Sequence, residues 1–243
     1  MKSQPEIAKL FIALMALGGL VSLSCGLLQT RPLHHAQFGT LLVLAMLASR
    51  LKVKLPGLQG NMSVDLPFLL IAVVELSLFE ALMVTLFSTV AQCFPKGGGK
   101  PKPIQTLFNV STTAIAVGLG GLIFHHGLPG RVSWASAALP LVLAGLSFFL
   151  AQTIPVAAII SLTEGGRLLR IWACIVRLSF PYYVLSAGVT SIVTTAGHRT
   201  GWQIPLLVLP VMYTIYRSYQ LYFVNTVLLA RGLAMAKAAG TSN

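Results

Sequence analysis

Acidic side chains are nearly missing from this chain: five Asp and Glu residues stand against 17 Lys and Arg among 243. So few carboxylates leave little material for paired general acid–base work, and no polar cluster suited to an enzyme of lipid chemistry is visible. Charge of either sign is scarce, at 9% of residues against about 25% in an ordinary soluble domain. A water-soluble fold this poor in charge would expose large apolar patches, which soluble monomers rarely tolerate. Cysteine amounts to three scattered residues, Cys25, Cys93 and Cys174, without metal-ligand spacing, so they read as small buried hydrophobes. No P-loop, dinucleotide fingerprint, zinc motif or nucleophile–base constellation occurs. Internal repeats, low-complexity tracts and a soluble domain are missing too. No cofactor is implied, and the chain reads as a non-enzyme.

What is abundant is apolar: 56% of residues are hydrophobic. They fall in blocks near the roughly 17–25 residues a helix needs to cross a bilayer core. Backbone groups in lipid must be satisfied internally, so the blocks read as helices; the alternating strands of a membrane barrel do not occur. The fold class is therefore an all-α, polytopic transmembrane helical bundle. About eight membrane segments are expected, near 7–28, 36–51, 66–79, 80–94, 104–126, 134–161, 180–197 and 202–222, followed by a short tail over 223–243. Lys2, Lys9 and the Ser-Leu-Ser-Cys25-Gly26 sequence imitate a lipoprotein signal. Ser22 stands where such signals prefer a branched aliphatic, so the first block reads as an uncleaved helix.

Basic residues set the expected orientation. With a cytoplasmic N-terminus, only Arg31, Arg131 and Arg199 fall outside, and the other 14 of the 17 lie inside, as the positive-inside rule requires. Both termini are then cytoplasmic, in a bacterial inner membrane. The basic runs sit between apolar blocks, so the implied partners are the bilayer and anionic lipid headgroups rather than nucleic acid. Basic clusters flank 66–94 on both sides, so that region crosses an even number of times, as a tight pair of short helices or a re-entrant hairpin. Trp134 and Trp202 open segments at the outer interface, and Trp172 lies in an inner amphipathic stretch, 164–178. Pro140, Pro155, Pro205 and Pro210 should kink their helices. Ala114, Gly118 and Gly121 are spaced for close helix packing.

Each acidic residue can be weighed. Glu6 and Glu164 lie at inner boundaries, and Asp65 begins the hairpin region. Glu75 and Glu80 fall inside the apolar run. They either cap the hairpin tip near outer water or supply a functional buried carboxyl, whichever of them is enclosed, able to hold a proton, a cation or a cationic solute. His34, His35, His125, His126 and His198 all fall towards the outer face, as interfacial histidines or as weak candidates for a metal or pH-sensing site. Asn109, Ser111, Thr112 and Thr113 form a polar patch suited to hydrogen bonding across helices.

Several stretches share a family pattern: Leu-Lys-Val-Lys-Leu-Pro-Gly (51–57) with Met-Ser-Val (62–64), Leu-Phe-Asn at 107–109, Glu164-Gly-Gly-Arg167-Leu-Leu-Arg170-Ile-Trp172, Pro181-Tyr-Tyr, and Tyr216-Arg-Ser-Tyr-Gln-Leu-Tyr222. In that order they resemble the MASE-like multi-helix sensor modules that precede HD-GYP or GGDEF domains in bacterial signalling proteins. The resemblance covers most of 40–222 and implies a helical membrane sensor. In that family the last helix runs into a signalling helix and an output domain. Here the 21 residues after Tyr222 carry no phosphohydrolase or cyclase motif, so cyclic-dinucleotide turnover is not implied.

Two functions follow. The first is a sensor or regulatory module acting through a cytoplasmic signalling protein, with Arg217, Tyr219 and Tyr222 as contact candidates. Leu221, Val224, Leu228 and Leu229 are then available for helix pairing, including pairing of two copies. The second is a small-solute binder or transporter similar in outline to the capture subunits of modular vitamin importers, with Glu75, Glu80 and Asn109 lining a cavity.

Overall fold

Long runs of Leu, Ile, Val, Ala and Phe leave the backbone one local way to satisfy its own N–H and C=O groups, the helix. A computed structural model describes residues 6–29, 35–54, 61–95, 100–126, 138–200, 203 and 205–221. The described residues form eight helices: α1 (Glu6–Leu28), α2 (His35–Ser49), α3 (Leu66–Glu75), α4 (Leu78–Cys93), α5 (Pro103–His126), α6 (Ala138–Glu164), α7 (Leu168–Thr200) and α8 (205–221). By length and composition alone, four of them can cross a bilayer: α1, α5, α6 and α7. The expected eight membrane segments are thus eight helices with four of spanning length; α2, α3 and α4 are shorter apolar helices.

The bundle buries its middle and leaves its flanks apolar. On α1, Ile7, Leu10, Leu14, Leu17 and Leu20 are all exposed, and only Ala8, Ile12, Gly19 and Gly26 are buried. Such a surface is stable against hydrocarbon and not against water. At the centre lies α3, buried without interruption from Leu66 to Val73 and surrounded by α2, α4, α5 and α7. A helix apolar on every side belongs inside a protein or a membrane. Its ten residues rise about 15 Å, half of what hydrocarbon requires. Together α3 and α4 form a helical hairpin of unequal legs.

The break between them falls at Leu76–Ser77 rather than near residue 79. Ser77 is an extended N-cap whose hydroxyl accepts from Glu80 N–H, while the Glu80 carboxylate accepts from Ser77 N–H at 3.0 Å and from its hydroxyl at 2.8 Å. This capping box starts α4 where two donors can be satisfied reciprocally. A second departure is α7, which begins at Leu168 and absorbs the 164–178 stretch into one helix of 33 residues. Gly165 and Gly166, with φ of 77° and 120°, end α6 in the left-handed region open to glycine. Pro205 opens α8 and Pro140 lies in the first turn of α6, whereas Pro155 and Pro181 sit inside continuous helices.

The strands were unexpected. Lys52–Lys54 (β1) pairs antiparallel with Asn61–Ser63 (β2) between α2 and α3, in register Lys52↔Ser63. Two cations beside it reach carbonyls at the end of α4: Arg50 Nη1 donates to Ala91 O at 3.2 Å and Lys52 Nζ to Phe94 O at 2.9 Å. Cations are favoured at a helix C-terminus, where unpaired carbonyls gather. The ends of α2 and α4 are thereby tied at one end of the bundle. Lys100 and Lys102, and Arg167 at the α6–α7 turn, flank the same end through the antiparallel α4–α5–α6–α7 series.

Helix α1 docks on α5 through small residues. A Cβ on Gly19 would stand 2.9 Å from Ser111 Cα, and one on Gly118 would stand 2.9 Å from Ser22 Oγ. Gly118 therefore does what its spacing suggested against α1, and a Cβ on Gly121 would stand 3.3 Å from Leu78 Cδ1 of α4. Gly19→Leu is expected to destabilise the purified protein by about 1–3 kcal/mol, the usual cost of overpacking. Gly39→Ala, where nothing lies within 4 Å, should be neutral or slightly stabilising. Thermal unfolding in detergent distinguishes the two.

Candidate functional site

Two of the buried polar groupings inside the bundle lie at the two ends of α3. At its N-terminus stands Asp65, 5% exposed. It occupies the N-cap position, yet its side chain makes no cap hydrogen bond. The carboxylate turns instead towards two hydroxyls: Ser63 Oγ donates to one oxygen at 2.5 Å and Ser88 Oγ of α4 to the other at 3.1 Å. The cap comes from another helix. Tyr182 of α7, fully buried, accepts Leu66 N–H on its hydroxyl at 3.2 Å. Thr190, one face of α7 further on, donates to Pro67 O at 3.3 Å. The first turn of α3 is therefore held by α7 on one side and by α4 on the other.

Helical rise gives this cluster its depth. Ser88 is ten residues from the start of α4 and five from its end, so Asp65 lies about 15 Å below the hairpin tip and about 7 Å above the C-terminus of α4. A buried carboxylate there has no described lysine or arginine against it, and hydroxyl donors are its solvation. Among the described residues, no buried side-chain polar atom lacks a partner.

At the other end of α3 the tip residues meet α2 and α5. Gln37 Nε2 donates to Glu75 Oε2 at 3.4 Å. His125 Nε2 lies 3.0 Å from Val73 O; a carbonyl only accepts, so this nitrogen carries the hydrogen. Glu75 is half-buried, and Glu80 is buried in its capping box. Both are tip residues, and one of them is enclosed. His35 is exposed nearby at the start of α2. His34 lies outside the described residues, as do the side chains of His126 and His198. Among the described residues no three of His, Cys, Asp and Glu gather as metal ligands.

Asn109 is not brought to this tip. Its amide donates to Cys93 Sγ at 3.7 Å at the far end of α4, and the 16 residues of α5 from Asn109 to His125 rise about 24 Å. Glu75, Glu80 and Asn109 therefore line no common cavity. The neighbouring patch does tie helices: Gln152 of α6 donates to Thr113 at 3.0 Å, while Thr112 bonds back to Phe108 O within α5. Trp172, expected at an interface, donates to Thr153 of α6 at 3.2 Å. Arg217 is exposed, Tyr219 packs on the core from α8, and Tyr222 lies outside the described residues.

Sequence reasoning passed over Tyr182. Its signal was available, since a tyrosine inside an apolar block must find a partner for its hydroxyl when buried. Beside it, Tyr183 packs edge-on against Phe149 of α6 with centroids 4.8 Å apart, which fixes the rotation of α7. The arrangement has no nucleophile paired with a base. What it offers is mechanical: a carboxyl group, four hydroxyls and two backbone groups whose bonds are rearranged if α7 moves against α3. Tyr182→Phe leaves Leu66 N–H buried without an acceptor and is expected to cost about 1–3 kcal/mol. Thr194→Val removes a hydroxyl bonded within its own helix and should cost less; chemical denaturation of the two variants compares them.

Neither a curated protein nor a solved structure matches the chain. A family model does, over residues 25–224, a span that takes in the whole α3–α4 hairpin and Tyr182. The chain belongs to the MASE9 family, one of the membrane-associated sensor families.

Proposed function

We propose that this chain is a non-catalytic sensor module of a bacterial inner membrane that passes its state to a separate signalling protein. The observation that supports it is the junction at Asp65, where one enclosed helix is clamped at its first turn by α4 and α7. A sensor needs an element with two discrete arrangements that a stimulus can bias. Buried hydrogen bonds suit that role, because they are either made or lost and each orphaned group is costly in a dry interior. Helix α7 carries the clamp and is followed in the chain by α8, whose Val208, Met212 and Tyr216 join the same core. A shift at Asp65 thus has a packed route to Arg217 and the residues beyond it.

Orientation follows from charge. Arg50, Lys52, Lys100, Lys102 and Arg167 lie at one end, and the positive-inside rule assigns that end to the cytoplasm. The end of α8 then faces the cytoplasm, with Arg217, Tyr219 and Tyr222 as contacts for the partner. The hairpin tip with Glu75, Glu80 and His125 faces outward, where a stimulus would arrive.

Photo-crosslinkers placed at 217 and 219 of the full chain in native membranes should capture one cytoplasmic protein bearing a nucleotide-cyclase, phosphodiesterase or kinase domain. Asp65→Asn, which keeps the shape and removes the titratable carboxyl, should leave folding intact and change that protein's activity by several-fold. Crosslinks confined to lipid and to the chain itself, or partner activity indifferent to Asp65→Asn, would overturn the reading.

A further inference from the structure

Helix α7 presents two faces along its length. Ile175, Ser179, Tyr182, Ser186, Thr190 and Val193 are buried and form the inward arc. The outward arc, read from the Gly165–Gly166 break, runs Arg167, Arg170, Cys174, Arg177, Pro181, Val184, Gly188 and Ile192, all exposed. Three cations come first and an apolar stripe follows, with Val184 55% and Ile192 71% exposed. Arg50 and Lys52 at the same end of the bundle are spent on helix carbonyls. By contrast, none of the three guanidinium groups makes a hydrogen bond or ion pair with another described residue, Glu164 at the preceding turn included.

Position sharpens the point. Arg177 lies nine residues inside α7, about 13 Å from its start. The neighbouring outward surface there is Phe180, 45% exposed, and Val184. A cation on a lipid-facing arc at that depth is costly unless it reaches an anion or water. Helical side chains lean towards the N-terminus of their helix, so Arg177 reaches back along its arc towards Arg170 and the headgroup level. Guanidinium groups match phosphate oxygens with paired N–H donors.

We infer that the outward arc of α7 is a binding site for an anionic phospholipid, its phosphate on Arg170 and Arg177 with Arg167 adjoining, and an acyl chain along Val184 and Ile192. The arc carries both halves of such a ligand in the right order: charge at the membrane edge, grease towards the middle. The inference stands on charge complementarity and burial, and it does not depend on the sensor reading. Because α7 also carries Tyr182 and Thr190 on its opposite face, lipid held here braces the helix that clamps α3.

The full chain, purified in detergent, is titrated with phosphatidylglycerol and phosphatidylcholine and the adducts are counted by native mass spectrometry. Phosphatidylglycerol is expected to be retained preferentially. Each Arg→Gln change at 170 or 177 should reduce that preference about fivefold, the value of one basic residue near an anionic surface. If the double Gln variant fails to fold, Arg170→Lys with Arg177→Lys keeps the charge and removes the paired donors, and an intermediate preference supports the site. Equal retention of the two lipids by the unaltered chain overturns the inference, as does a full preference surviving in a folded double Gln variant. Displacement of phosphatidylglycerol by millimolar inorganic phosphate would mean a soluble anion, and capture of polyglutamate without lipid preference would mean an acidic protein; either result also overturns it.

Discussion

A backbone N–H or C=O shielded from water must find a partner in the protein, and α3 is where this molecule meets that constraint most severely. A ten-residue helix buried from Leu66 to Val73 has unpaired donors at one end and unpaired carbonyls at the other, with no solvent to receive them. Neighbouring helices supply the partners. Tyr182 takes Leu66 N–H and His125 reaches Val73 O, while Thr190 adds a further bond to Pro67 O in the first turn. The side chains that satisfy α3 therefore come from α5 and α7, and the bundle is assembled around those obligations.

This arrangement joins fold to function. Apolar packing in lipid is forgiving, since hydrocarbon and leucine are nearly equivalent surroundings and helices can slide with little penalty. Hydrogen bonds at buried termini are not forgiving, because each is made or lost. Placing a titratable group, Asp65, among them gives the hairpin root a feature that a proton, an ion or a small displacement can alter. The family to which the chain belongs is one of membrane sensors, and a clamped inner helix connected through α7 to α8 is a structure on which such a task can rest.

Much of the architecture was legible in the residues. Blocks of apolar sequence located the helices, and Gly118 and Gly121 marked close approaches of α5 to α1 and to α4. The even number of crossings demanded by the flanking cations matches an α3–α4 hairpin that returns to its own end. What escaped was local. The break at Ser77 is written as Ser-x-x-Glu, a capping box that hydropathy blocks cannot register. The β ribbon consists of two three-residue strands, too short for a periodicity to show. Depth escaped as well: Asp65 looked like a boundary residue because it opens an apolar run, yet the chain re-enters the bundle before α3 begins. Tyr182 stood in a quoted motif without a role, since its partner lies 116 residues away.

Side-specific labelling of single cysteines in sealed vesicles, with Cys25, Cys93 and Cys174 replaced by serine, addresses the buried hairpin directly. Residues 51 and 100 bracket it, and 29 follows α1 at the opposite pole. Labelling of 51 and 100 from the same side, with 29 labelled only from the other, is the predicted result. Labelling of 51 and 100 from opposite sides would contradict an α3–α4 pair that enters and leaves by one face.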